Sequence, residues 1–296
     1  MSQALPSDYL ELFDTFIFDC DGVLWKGSEM IEGSVDAVQE LLNHNKNVFF
    51  VTNNSTLSRE KYAEKFAKKG FKGINKENIL CSAYAAARYL SMNNFQGRVY
   101  VIGESGIYDE LAEHNIEAIG SPTLHASLDE SSVSGGSIAP EITLESGVKA
   151  VIVGFDRRYS YLKMCYAYSY VAADPECIFI ATNTDVTYPT ANGFMPGSGS
   201  LVKGIETALG KEALVTGKPS PILMDVVKSR VPSMIPERTL MVGDRLDTDI
   251  LFGNNAGAKT LLVLSGISTR KMAEESNIKP TFIAQSVSQL LPNAEQ

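Results

Sequence analysis

Long apolar runs are missing from this chain. None approaches the roughly 18 to 20 residues that a membrane-spanning helix requires, so insertion into a bilayer is not expected. Clustered positive charge is missing too. The chain holds 26 lysines and arginines against 35 aspartates and glutamates, a formal charge of −9. Nucleic-acid binding draws mainly on clustered Lys and Arg, so such a partner is not expected. An anionic small molecule would instead have to meet a local positive centre, either a lysine or a metal. Cysteine is scarce: Cys20, Cys81, Cys165 and Cys177 show no CxxC spacing and sit in apolar or motif contexts. They read as reduced thiols of a cytosolic protein. The three histidines, His44, His114 and His125, stand apart in helix or loop positions, which argues against zinc or histidine catalysis. No basic stretch followed by an apolar core opens the chain, so a secretory leader is not expected and a cytoplasmic location is. Internal repeats and coiled-coil heptads are also lacking.

What is present is an ordinary globular composition, 44% hydrophobic and 21% charged over 296 residues. That length suits one large or two ordinary domains. Short apolar or β-branched runs recur at 15–18, 47–51, 98–102, 149–155, 178–181, 239–242 and 259–264. Most are continuous rather than alternating, as strands covered on both faces should be. Helical stripes lie between them: Val35, Val38, Leu41 and Leu42 behind a Ser34 cap, and Tyr62 with Phe66 before a stop at Gly70. The alternation predicts an α/β fold with mainly parallel sheets. The segments that carry chemistry fall outside the middle of the chain, which has its own strand and helix signals. The expected division is a core of 1–83 and 196–296 with an inserted α/β domain over 84–195. Within the insertion, 121–147 is rich in Ser, Gly and Pro and reads as surface loop with at most a short hairpin.

Four segments carry the chemistry. Asp19 and Asp21 follow the apolar run Phe16-Ile17-Phe18 and precede Gly22. One carboxylate of such a pair can attack phosphorus, and the other can protonate the leaving oxygen and later take a proton from water. A solvated turn, or a cation site without chemistry, is the alternative for this pair alone. Asp244 and Asp249 follow a second strand candidate, and their hard oxygens suit Mg²⁺ shared between Asp19 and Asp244. Asp249 reads as support that orients Lys218 or the loop. Lys218, before Pro219, can bring an ammonium towards the acids and neutralise phosphoryl charge. Thr52-Asn53-Asn54 supplies a hydroxyl and backbone amides suited to phosphoryl oxygens, although such a segment alone also makes an Asx turn or a helix cap.

The order of these segments resembles the haloacid dehalogenase superfamily of phosphohydrolases, with Asp19 and Asp21, then Thr52, then Lys218, then Asp244 with Asp249. The wider words Phe18-Asp19-Cys20-Asp21-Gly22-Val23-Leu24-Trp25, Val51-Thr52-Asn53-Asn54-Ser55, Val153-Gly154-Phe155-Asp156, Pro196-Gly197-Ser198-Gly199-Ser200 and the stretch from Gly243 to Ile250 are similar to its 4-nitrophenyl phosphatase and phosphoglycolate phosphatase group. They span nearly the whole chain. The resemblance implies a Rossmann-like core, an α/β cap inserted between the Thr52 and Lys218 segments, and Mg²⁺-dependent hydrolysis of small phosphate monoesters through an aspartyl-phosphate. It makes Asp19 the nucleophile and a metal ligand. Asp21 becomes the acid/base and lends its backbone carbonyl to the metal, with Asp244 as the remaining protein ligand. Thr52, Asn53 and Asn54, together with Lys218, would hold the phosphoryl group.

The cap would select the substrate through a loop at 183–189, where Tyr188 stands in place of the histidine of the pyridoxal phosphate phosphatases. That departure favours small phosphorylated acids such as 2-phosphoglycolate, with 4-nitrophenyl phosphate as an artificial substrate. Pyridoxal phosphate and sugar phosphates are the alternatives. Cap helix 161–173 is where the resemblance would put a homodimer contact. Asp21 with Asp244 argues against a carbon-attacking dehalogenase, and the large cap against a phosphomutase. Outside enzymes, a phospho-acceptor switch or an inactive ligand-binding protein would share some of these residues. A switch receiver, however, has neither the DxDG pair nor an inserted domain. Trp25 and Cys20 read as packing residues.

Overall fold

The computed structural model of the protein describes residues 3–121, 123–125, 142–190 and 193–291. Its contacts divide the chain into two compact units. The first comprises Met1–Thr52, Glu60–Leu80 and Lys218–Gln296, and the second Asn53–Arg59 and Cys81–Gly217.

The first unit is built on a six-stranded sheet in the order Phe282–Ala284, Lys259–Val263, Thr239–Gly243, Thr15–Phe18, Asn47–Thr52 and Ile79–Cys81. Thr15–Phe18 lies at the centre and pairs in parallel with both Thr239–Gly243 and Asn47–Thr52. All four of its residues are buried, which is why the run is continuously apolar instead of alternating. Helix Ser34–Asn43 buries Val38 and Leu41 of the expected stripe together with Ala37, while Val35 and Leu42 are half-buried and Gly33, not Ser34, takes the cap position. Helix Arg59–Lys68 contributes Phe66 to an aromatic cluster. Its ring centroid lies 4.4 Å from Phe50, 5.0 Å from Phe71 and 5.1 Å from Trp25. Gly70 then turns the chain at φ +92°.

The second unit has a fully parallel five-stranded sheet in the order Leu214–Val215, Ile178–Ala181, Val148–Val153, Arg98–Ile102 and Glu117–Ile119. Its core joins Ile102, Val151, Val153, Tyr170 and Phe179 with Val202 and Ile205. The unit therefore runs further along the chain than the 84–195 read from the sequence. Helix Ser198–Leu209 supplies Val202 and Ile205 to this core, and Leu214–Val215 pairs with Ile178–Ala181. The segment 183–189, expected as a loop, leads into a short antiparallel hairpin of Thr187–Thr190 with Gly193–Pro196. Gly197 and Gly199 are needed for backbone contact with its start: a Cβ on either would lie 2.3 Å from the carbonyl oxygen of Asp185 or Thr184. Of the weakly patterned stretch 121–147, residues 122 and 126–141 lie outside the described residues. All four cysteines are free thiols. Among the described residues, no helix is long and apolar enough to cross a membrane.

Candidate active site

The central strand delivers Asp19 to its carboxyl end, where the Asp19 amide donates to the Val242 carbonyl at 2.9 Å and prolongs the parallel ladder. Asp244 directly follows the neighbouring strand, so two adjacent parallel strands bring both carboxylates to one sheet edge. Lys218 is buried among them. Its Nζ lies 2.6 Å from Asp19 Oδ1, 2.8 Å from Asp249 Oδ1 and 2.7 Å from the Val51 carbonyl oxygen. Asp19 Oδ1 and the Val51 carbonyl accept hydrogen bonds from the ammonium, and Asp249 Oδ1 is its ion-pair partner. One carboxylate oxygen from each of Asp19, Asp244 and Asp249 lies within 4.8 Å of the others.

Asp249 braces the loop. Its Oδ2 accepts from the amides of Asp244 and Arg245, both at 3.0 Å, which fixes the backbone that aims Asp244. The residues between them, Leu246–Ile250, wind as a wide π-type turn that carries Asp249 back under Asp244. Asp247, in the same turn, points away and pairs with Arg245 at the surface.

Electrostatics separate this cluster from a structural ion pair. Burial pushes the Asp19 carboxyl well above the usual carboxylate range; Lys218 opposes that shift, while Asp249 and Asp244 reinforce it. Asp244 is pushed up to about 7, first by burial and then by the Asp249 charge, although the Ile267 amide, Lys218 and Arg245 pull it back. Burial alone would lower the lysine, yet Asp19 and Asp249 hold Lys218 above its ordinary value. The ammonium therefore stays charged, and full ionisation of the three carboxylates would leave the cluster net negative. Such an excess of buried negative charge is costly without further compensation. Hard oxygen donors with excess negative charge fit a divalent cation of the magnesium type.

Two glycines make room for the Asp244 carboxylate itself. Gly22 adopts φ +88°, and a Cβ there would lie 2.5 Å from Asp244 Oδ2; at Gly266 it would lie 1.8 Å from the same oxygen. Ser265 Oγ donates to the Gly22 carbonyl at 2.7 Å and ties the two glycine-bearing loops together.

Asp21 is half-buried on the turn after Asp19, where its Oδ1 accepts from Trp25 Nε1 at 2.9 Å. Thr52 is buried at the end of its strand. Of the residues expected from the sequence, Asp19, Asp21, Thr52, Lys218, Asp244 and Asp249 all belong to the first unit. Sequence reasoning missed the loop at 265–268. There the Ile267 amide donates to Asp244 Oδ2 at 2.8 Å, and the Ser268 amide to the Asp244 carbonyl at 2.9 Å. The only signal for it was a polar Ser-Gly-Ile-Ser stretch after an apolar run.

The remaining expected residues belong to the second unit. Asn53 donates its amide to both oxygens of Asp185, at 3.2 and 3.3 Å, while its carbonyl accepts from Ser82 Oγ and Asn183 Nδ2. Asn54 closes an Asx turn, its Oδ1 accepting from the amide and hydroxyl of Thr56. Tyr188 lies on the hairpin, 38% exposed, with its ring edge-to-face on Phe155 at 5.2 Å.

Known proteins resemble this chain over most of its length. The sequence model of the haloacid dehalogenase-like hydrolases matches residues 16–117, and a second HAD-hydrolase-like model matches 215–290. Phosphoglycolate phosphatase 1A of Arabidopsis thaliana is 42% identical over 289 residues, covering 95% of this chain and 77% of that protein. Among solved structures, the p-nitrophenyl phosphatase of Archaeoglobus fulgidus superposes with a TM-score of 0.78 at 27% identity, covering 93% of this chain and 97% of that one. The glycerol phosphate phosphatase of Mycobacterium tuberculosis, solved with magnesium, also gives 0.78 at 27% identity, covering 98% of this chain and 78% of that one. The parallel sheets, the acid cluster around Lys218 and these relatives lead to one conclusion: the chain belongs to the haloacid dehalogenase-like hydrolase family and is a phosphatase, an enzyme of the phosphoric monoester hydrolases.

Proposed function

We propose that the protein is a Mg²⁺-dependent phosphatase of small phosphorylated metabolites that works through an aspartyl-phosphate on Asp19, with 2-phosphoglycolate as its preferred ester. The observation that carries the mechanism is the Lys218 contact. The ammonium holds Asp19 Oδ1 at 2.6 Å, which leaves Oδ2 as the attacking atom. In the first step the Asp19 Oδ2–phosphorus bond forms and the bond from phosphorus to the ester oxygen breaks. Asp21 gives its proton to that departing oxygen. In the second, Asp21 takes a proton from water, the water oxygen bonds to phosphorus, and Asp19 is released.

Lys218 keeps its charge and faces the phosphoryl oxygens, while Thr52 adds its hydroxyl and Asn53 and Asn54 their backbone amides. Asp19, the Asp21 carbonyl and Asp244 would hold the cation, whose bound charge neutralises the phosphate. Asp249 stays with Lys218 and the loop amides that it already binds. The second unit is read as the cap. Tyr188 with Phe155 supplies an aromatic edge suited to limiting ester size, and exposed Tyr161 and Tyr168 favour helix Tyr161–Ala173 as the homodimer contact.

Support for 2-phosphoglycolate comes from the Arabidopsis relative at 42% identity. Glycerol phosphate is the second reading, favoured by the mycobacterial structure. Relative kcat/KM for 2-phosphoglycolate, glycerol phosphate, pyridoxal 5′-phosphate and 4-nitrophenyl phosphate tests the assignment, because kcat/KM ratios measure discrimination. The expected order puts 2-phosphoglycolate first among the metabolites by about tenfold or more. A higher value for glycerol phosphate or pyridoxal 5′-phosphate overturns it. Acid-quenched enzyme should carry phosphate on the Asp19 peptide, and phosphate on another residue would refute the covalent step.

A further inference from the structure

The turn after the central strand closes on itself. The Gly22 amide donates to the Trp25 carbonyl at 2.8 Å, and the Leu24 amide to the Cys20 carbonyl at 2.9 Å. The Trp25 side chain returns over the turn, and its indole N–H donates to Asp21 Oδ1 at 2.9 Å. Trp25 is fully buried, with its ring edge against Phe66 at 5.1 Å and Phe71 at 6.3 Å, so the indole has no room to swing away. Lys65 Nζ sits over the ring at 4.2 Å and Lys69 Nζ at 5.3 Å. Cations on the π face draw electron density from the ring, which makes the N–H a better donor.

We propose that Trp25 is a positioning residue for the proton donor: its indole N–H fixes the Asp21 carboxyl and confines the transferable proton to Oδ2. An indole nitrogen only donates, and the carbonyl-type oxygen of a carboxylic acid accepts better than its hydroxyl oxygen, so the bond to Oδ1 favours the proton on Oδ2. The Phe66 and Phe71 packing holds that choice in place. Packing alone would need a large aromatic ring at position 25, but not a donor aimed at this carboxyl. The inference rests on the reading of Asp21 as acid/base, and the test separates the two.

The readout is kcat/KM for two esters, since it reports the first chemical step, in which the ester oxygen leaves. An alkyl phosphate needs a proton on its departing oxygen, whereas 4-nitrophenyl phosphate leaves as a stabilised anion without one. The alkyl ester used is whichever of 2-phosphoglycolate and glycerol phosphate the wild type turns over better. For Trp25→Phe, kcat/KM for the alkyl ester should fall about 10- to 100-fold, while that for 4-nitrophenyl phosphate stays within about threefold. Aryl turnover doubles as the check that the variant is folded. If Trp25→Phe does not fold, Trp25 replaced by 3-benzothienylalanine keeps the shape and loses only the N–H, and should show the same selective loss. Asp21→Asn is the reference. Equal losses on both esters for Asp21→Asn would overturn the acid/base reading itself. A selective loss for Asp21→Asn, with equal losses or none in the Trp25 variants, would overturn only the positioning role.

Discussion

Both units bury charge, but they balance it differently. In the second unit Lys163 Nζ meets Asp156 Oδ2 at 2.6 Å with neither side chain more than 2% exposed, and buried Arg59 meets Glu110 at 3.0 Å. Each buried cation there faces a buried carboxylate, and Arg59 reaches a further one in part-exposed Glu113 at 2.8 Å. In the first unit Asp19, Asp244 and Asp249 crowd around Lys218, and burial with mutual repulsion lifts both Asp19 and Asp244. Matched buried charges hold a fold in register. An unmatched cluster stores a demand for a cation, and the proposed phosphate and metal site is set where that demand lies.

The largest break in this comparison comes from Asp19→Asn. Turnover should fall at least about 10⁴-fold in steady-state assays, because the proposed nucleophile is lost. The metal-free melting temperature should hold or rise, since a crowding charge has gone. A marked drop would mean that Asp19 pairs with Lys218 as a structural partner. Lys218→Met should lower kcat/KM about 100- to 1,000-fold. It also removes the counter-charge from the cluster, so urea titration should show a loss of about 3 to 5 kcal/mol.

Lys163→Met should destabilise by a similar amount, about 3 to 5 kcal/mol, because Asp156 is left buried without its cation. Here the sharpening lies in the rescue. Asp156→Leu with Lys163→Met should recover most of that loss and keep kcat within about threefold of wild type, as a matched pair with no chemical task would. Failure of the double variant to recover would assign Asp156 a task beyond pairing. The smallest effect belongs to Asp247, an acid of the same turn that lies outside the cluster. Asp247→Asn should leave stability within about 0.5 kcal/mol and activity unchanged, measured side by side with Asp249→Asn.

Much of the first unit was legible because its chemistry follows apolar runs. Asp19 comes immediately after one continuous strand signal and Asp244 one glycine after another, and neighbouring parallel strands bring such residues to a common edge. The partners of Asp244 were not legible. Ile267 reaches it only because Lys259–Val263 happens to be the next strand, and strand order is not written locally. Trp25 read as a core residue because a hydrogen bond to Asp21 depends on the turn that returns it. The far limit of the second unit failed for a related reason. Val202 and Ile205 form an ordinary amphipathic stripe, and nothing in that stripe says which sheet it covers. Asn53 was expected to serve phosphate through its backbone, and its partnership with Asp185 joins residues 132 positions apart.

The central claim is that the unmatched carboxylates form a metal-dependent centre for phosphate transfer. Phosphate release from 2-phosphoglycolate after exhaustive chelation, then with Mg²⁺ restored, tests it most directly in wild type and Asp244→Asn. Stripped wild type should lose at least about 100-fold in rate and recover fully with Mg²⁺, while Asp244→Asn should recover little at the same Mg²⁺ concentration. Undiminished turnover in chelator, or full recovery by Asp244→Asn, would contradict the account.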